Sequence, residues 1–390
     1  MTSLTKNRIE SLDLLKGLVI VLMALDHTRD YFHSAVYFYD PTDPAQTSVF
    51  IFFTRWITHF CAPAFSLLAG ISAFLVGRRK NKAELSAFLI KRGLWLVFID
   101  ITFVTFAWFL DIHFRNVAVN VIWALGISMI VLAALVHLPR TFILIFSCVL
   151  IFGHNLLDTV HFNGSILWSM FHDYGLFRIT DNFTFEVGYP VVPWIAVMPL
   201  GYYIGSFYDK SFDSEKRKKL LNILGFSAIA LFIAIRWINI YGDPVKWTQF
   251  DSASKTFMSF LNVFKYPPSL CFLLITLGPT LIFLANAEKL KGRVVNFFST
   301  FGRVPFFFYV VHLYLIHFIA MICAQLTGFG WQKMILNHWI SEEPSLKGYG
   351  FSLWVVYLVW FGVIALLYPL CKKFDNYKQN HKEKWWLSYL

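Results

Sequence analysis

About ten times along the chain, the sequence runs for the length of a bilayer crossing with scarcely a charge. A bilayer core near 30 Å thick takes roughly 20 apolar residues per helix. The chain has 390 residues, of which 57% are hydrophobic and 15% charged. Soluble chains carry about 25% charged residues, and a soluble domain could not hide this much apolar surface. Barrel strands would be about half as long and would alternate apolar with polar residues, whereas these runs are continuous. The expectation is an all-α polytopic membrane protein, a single domain over residues 1–390. Its spans fall near residues 12–32, 50–76, 93–111, 117–136, 141–158, 189–207, 220–239, 267–286, 304–326 and 350–370.

Charge then sets the orientation. With a cytoplasmic N-terminus, the inner side holds Lys6, Arg8 and Lys16, then Arg78 to Lys82 with Lys91 and Arg92. It also holds Arg140, Lys210 with Lys216 to Lys219, Lys289 to Arg303, and Lys372 to Lys384. These are 24 of the 34 Lys and Arg, so the positive-inside bias predicts both termini in the cytoplasm. The net charge of +11 therefore reads as a topology signal, and the expected partner is the lipid bilayer, not nucleic acid. Cys61, Cys148, Cys271, Cys323 and Cys371 lie in or beside apolar spans, without metal-ligand spacing or a disulfide framework. The first span lacks a small-residue cleavage site and reads as an uncleaved helix. Three outer segments, 159–188, 240–266 and 327–349, are rich in aromatics. Gly201 and Gly205, four apart in the sixth span, are compatible with close helix packing.

Ionisable groups at membrane depth are costly and face a bundle interior or a wet cavity. The first span ends Asp26-His27-Thr28-Arg29-Asp30. At 3.6 residues per turn Asp26, Arg29 and Asp30 share a face, and His27 has Asp30 at i+3. The second span carries Arg55 and His59 at i,i+4 and runs back inward. A short linker makes the two helices neighbours, so one pocket can hold both histidines, both arginines and both carboxylates. A histidine oriented by a carboxylate suits a general base, and a nearby arginine suits an oxyanion. Simple ion pairing at the membrane edge is the alternative for Asp26 and Arg29. Asp100, Arg236, His312 and His317 are further buried candidates. His154, Asp158 and His161 fall at i, i+4 and i+7, as on an ordinary wet helix face, and no metal is expected.

Several segments carry a resemblance. Ser11-Leu12-Asp13-Leu14-Leu15-Lys16-Gly17, followed by Asp26-His27-Thr28-Arg29-Asp30-Tyr31-Phe32, is similar to the opening of the heparan-alpha-glucosaminide N-acetyltransferase family and its bacterial branch. Further matching segments are Arg55 to Pro63, Tyr189-Pro190 with Pro193-Trp194, Tyr266 to Leu270 with Leu277-Gly278-Pro279, and Gly302 to Pro305 leading to His312. More broadly, the chain resembles membrane acyltransferases of envelope sugars, in which an Asp-x-x-Arg-Gly start is followed fourteen residues on by a histidine. Asp13 and His27 fit that spacing, with Lys16 replacing the arginine. In the lysosomal member the proposed catalytic histidine lies in the following segment, which leaves both His27 and His59 open as the base.

The resemblance implies a multi-pass protein of the bacterial cytoplasmic membrane that moves an acetyl group from cytosolic acetyl-CoA to an extracytoplasmic glycan or glycolipid. On that reading His27 is the base and Asp30 orients it. Arg29 or Arg55 meets the oxyanion, and Asp26 completes the pocket. His59 is the alternative base or a covalent acetyl carrier. Outer aromatics such as Trp168, Phe171 and Tyr174 stack on the sugar. A transporter or flippase with a buried His/Asp/Arg site is the alternative, against which the sequence shows no inverted repeat.

Overall fold

The computed structural model describes residues 9–388. Lys6, Arg8 and both chain termini lie outside them. The long helices are α1 (Glu10–Phe32), α2 (Val49–Gly77), α3 (Lys82–Ile99), α4 (Val121–Leu135), α5 (Arg140–Leu157) and α6 (Val192–Gly205). They continue with α7 (Ser214–Ile238), α8 (Ala253–Leu261), α9 (Leu270–Ala287), α10 (Arg293–Arg303), α11 (Pro305–Leu326) and α12 (Leu353–Asn380). Among the described residues, α2, α5, α7, α9, α11 and α12 are each long and apolar enough to cross a membrane. The protein is an integral membrane protein on this evidence. Helix α1 carries too many charges for that test. Helices α4 and α6, with 15 and 14 residues, are too short for it.

The helices overrun the apolar stretches because caps, not hydropathy, set their ends. Asn81 forms a capping box with Glu84, so α3 begins well before the apolar run, and Lys91 and Arg92 are helical. Asp213 caps α7 by accepting from the Lys216 N–H. Helix α12 continues through its polar tail to Asn380. Inside α2, the turn Ile57–Phe60 tightens to a 3-10 helix. Pro63 lacks the N–H that the His59 carbonyl would accept, so the α-helical ladder is interrupted there.

A small sheet joins this helical body, a feature absent from the all-α expectation. Strands β1 (Asn116–Val119), β2 (Gly175–Thr180) and β3 (Phe183–Val187) lie in the order β1-β3-β2. A two-residue turn, Asp181-Asn182, joins β2 to β3 antiparallel, and β1 pairs with β3 in parallel. The sheet marks one end of the molecule. The other end gathers the basic loops, tied by Arg78–Asp209 at 3.4 Å, Arg217–Glu288 at 2.6 Å and Arg303–Asp375 at 2.6 Å.

Helix α1 is the axis, packed against α2, α9, α10, α11 and α12. Glycines permit the closest crossings. A Cβ on Gly17 would stand 1.8 Å from the Phe298 carbonyl oxygen, and one on Gly302 1.8 Å from that of Asp13. Gly201 backs onto Leu67 and Gly205 onto Phe74, so the spacing noted in the sixth span does serve α2–α6 contact. Gly17→Ala should therefore force α1 and α10 apart and destabilise the protein by about 1–3 kcal/mol. Thermal unfolding in detergent checks this against Gly153→Ala, where a Cβ meets nothing within 4 Å and the melting temperature should hold. Equal melting of both variants would contradict the packing.

Candidate functional site

The charged end of α1 is buried, so its groups must find partners inside the protein. Asp26 accepts from Arg29 at 3.0 Å and from Arg55 of α2 at 2.7 Å. Arg29 also holds Asp30 at 2.6 Å, and Thr58 steadies Arg55 at 3.0 Å. Asp26, His27, Arg29, Asp30 and Arg55 all line one cavity of about 320 Å³ at the sheet end. That volume lies at the lower end of the roughly 300–1,000 Å³ usual for small-molecule sites.

His59 does not line this cavity. It is buried in the 3-10 turn with its ring 5.2 Å from that of Phe272. The turn has about 3.0 residues per turn in place of 3.6, so the i,i+4 alignment with Arg55 is lost. The pairing of His27 with Asp30 also fails. Arg29 takes the Asp30 carboxylate, since a guanidinium holds a buried carboxylate better than a neutral ring does.

His27 instead meets His312 of α11, Nδ1 to Nε2 at 2.8 Å. His312 Nδ1 lies 2.9 Å from the Phe308 carbonyl oxygen, which can only accept. A neutral imidazole has one N–H, so His312 donates it there and presents a lone pair on Nε2. His27 Nδ1 must then be the donor between the rings. The lone pair of His27 is left on Nε2, as a base or nucleophile requires. The ring of Trp108 stands edge-on at 4.9 Å from that of His27, and Tyr309 at 6.2 Å.

The remaining walls come from the aromatic-rich segments between the long helices. Lys265 and Tyr266 line the cavity, as do Tyr189, Tyr174, Trp339 and Glu186. Asn120 also lines it, at the N-terminus of α4, and its buried Nδ2 has no partner among the described residues. Asp100 braces that terminus by accepting the Asn120 N–H at 2.7 Å.

A second cavity, of about 300 Å³, enters from the basic end. Lys16, Arg92, Arg303 and Lys378 line it, with apolar walls from Ile20, Met23, Phe65, Leu96 and Met129. Val121 and Tyr309 line both cavities. The two therefore meet beside His27, one turn of α1 above Met23.

Residues 8–241 match the family of heparan-alpha-glucosaminide N-acetyltransferase, catalytic. The chain belongs to this family. No curated protein matches it. The part shared with the heparan-alpha-glucosaminide N-acetyltransferase family carries His27, its ion cluster and Asn120, whereas Lys265, Tyr309 and His312 come from beyond it. Tyr189, Tyr266, Gly302, Arg303 and Pro305, noted as motif residues in the sequence, all line one cavity or the other. The inward role of Asn120, Glu186 and Trp339 carried no such signal.

Two other sequence candidates lie outside this cavity. Arg236 donates to four backbone carbonyls, those of Val245, Ser259, Phe260 and Asn262. Helix α5 ends at Leu157, which breaks the series from His154 to His161. Asp158 takes His172 at 3.2 Å and Asp173 takes His161 at 3.0 Å.

Glu186 of β3 fastens the cavity roof. It accepts from Trp339 Nε1 at 2.5 Å and from the Tyr174 hydroxyl at 3.0 Å. Burial pushes its carboxyl above the ordinary value of 4.5, against the pull of these donors. The folded protein thus binds this proton more tightly than the unfolded chain. Stability from this group is full below pH 4.5 and falls as pH rises through the raised value. Glu186→Gln keeps an accepting oxygen for both donors and has no charge to bury. It should raise the melting temperature at pH 8 relative to wild type and narrow the gap at pH 4. A larger gain at pH 4 would contradict the assignment.

Proposed function

We propose that the protein is a membrane acetyltransferase that moves an acetyl group from cytosolic acetyl-CoA to a glycan or glycolipid across a bacterial cytoplasmic membrane. The observation that carries this reading is the pair of cavities that enter from opposite ends and share Tyr309 and Val121 beside His27. A group transfer between two compartments needs a base at such a junction.

In this reading the basic end faces the cytoplasm, the helical stretches make ten crossings, and both termini are cytoplasmic. Lys16, Arg92, Arg303 and Lys378, which line the basic-end cavity, meet the phosphates of CoA. The apolar wall accepts the pantetheine arm and brings the thioester to the partition. The acceptor enters from the sheet end. His27 Nε2 takes the proton as the acceptor oxygen or nitrogen attacks the thioester carbonyl. His312 accepts the Nδ1–H throughout and holds the imidazolium as it forms, as an orienting partner does. Asn120 Nδ2, at the positive end of α4, meets the oxyanion. The carbon–sulfur bond then breaks, and the thiolate leaves with the proton from His27. Arg29 and Arg55 are held by Asp26 and Asp30 and set the acceptor's surroundings. His59 is assigned no chemical step.

Purified protein incubated with labelled acetyl-CoA and an amino-sugar acceptor tests this. His27→Ala should lower kcat about 10²–10⁴-fold while acetyl-CoA still binds. Asn120→Ala should lower it about 10²–10³-fold. His59→Ala should keep most of the activity. Loss in His59→Ala with survival of His27→Ala would move the chemistry to α2. Full activity in both would favour the transporter. The orientation is checked separately. Tags at both termini should be reached only from the cytoplasm and a tag near Asn163 only from outside, and a cytoplasmic Asn163 would contradict it.

A further inference from the structure

Beside the sheet-end cavity lies a wider one of about 570 Å³. Tyr174 and Tyr266 line both, so the two adjoin at these residues. The side cavity differs in charge from its neighbours. Among the described residues, its lining includes Asp158 and Asp173 but no Lys or Arg, whereas Arg29, Arg55 and Lys265 line the sheet-end cavity.

Its polar groups are held in place. Asp158 pairs with His172, and Asp173 pairs with His161 and accepts from Trp168 Nε1 at 2.8 Å. His172 is fully buried, and its Nδ1 has no partner among the described residues. Phe162 and Phe177 add aromatic surface to the two shared tyrosines.

We propose that this side cavity is a second acceptor subsite, for a non-anionic sugar unit next to the one that is acetylated. The proposal rests on the acetyltransferase reading. Aromatic faces accept the apolar C–H side of a pyranose. Carboxylates and imidazoles whose orientation is already fixed accept and donate to its hydroxyls at little entropic cost. A sulfate or uronate in the same place would face Asp158 and Asp173 with no cation in the lining, a like-charge arrangement that rejects it. The acceptor is therefore longer than one sugar, and the unit beside its reacting end is neutral or amino-bearing. Polyanionic glycans are excluded from this position.

The test compares kcat/KM for acetyl transfer to three probes. They are glucosamine, glucosamine linked to one to three N-acetylglucosamine units, and glucosamine linked to uronate-containing units of equal length. Wild type should gain about tenfold, worth about 1.4 kcal/mol, on adding the first N-acetylglucosamine, and gain nothing from the uronate. His161→Ala and Phe162→Ala change exposed rim residues outside the sheet-end cavity. Both should flatten the gain and leave the rate with glucosamine alone unchanged. No dependence on length in wild type, an equal gain from uronate units, or equal losses for all probes in the variants would each overturn the proposal. So would hydrolysis of acetyl-CoA without transfer to any of these probes. Failure of wild type to bind acetyl-CoA would instead bring down the acetyltransferase reading.

Discussion

A carboxylate inside an apolar bundle stays ionised only if cations come with it. Asp26 takes two, one from its own helix and one from α2. This junction joins α1 to α2 where the chain is otherwise apolar, and it fixes the rotation of α1 about its axis. Once that rotation is set, His27 reaches α11 and Asp30 turns to Arg29. Water-excluding surroundings make an unpaired charge expensive, so the cluster assembles as a unit. The polar half of α1 is the part that has no other place to go.

One helix consequently serves both cavities. Asp13, Lys16, Ile20 and Met23 line the basic-end cavity, and Asp26, His27, Arg29 and Asp30 line the sheet-end one. These positions recur at three or four residues, one stripe of a helix. Close packing at Gly17 against Phe298 of α10 closes one side of the stripe. The sheet and the 327–349 segment close the other end, with Glu186, Trp339 and Tyr174 bonded across the roof. Charge is sorted among the cavities, from four cations at the basic end to acids without cations in the side cavity.

The helices were legible in the sequence because an apolar run of bilayer length has few alternatives. Their ends were not, since Asn81 and Asp213 act through single capping bonds that hydropathy does not register. The sheet escaped because its strands are four to six residues long, and β1 pairs in parallel with a strand more than sixty residues away. Asp26, Arg29 and Arg55 were readable as one group from helical spacing and a short linker. The histidine pair was not, because His27 and His312 are 285 positions apart. His59 lies outside the cavity, in the tightened turn that precedes Pro63. Burial forced the polar residues inward, but only the packing of α11 against α1 decided which of them touch.

The most direct measurement is an experimental map of the protein in complex with a non-hydrolysable acetyl-CoA analogue. The account predicts phosphates near Lys16, Arg92, Arg303 and Lys378, the arm along Ile20 and Met23, and the acyl carbonyl at the Tyr309 partition within reach of His27 Nε2. Analogue density confined to the sheet-end cavity, or an acyl group directed away from His27, would contradict it.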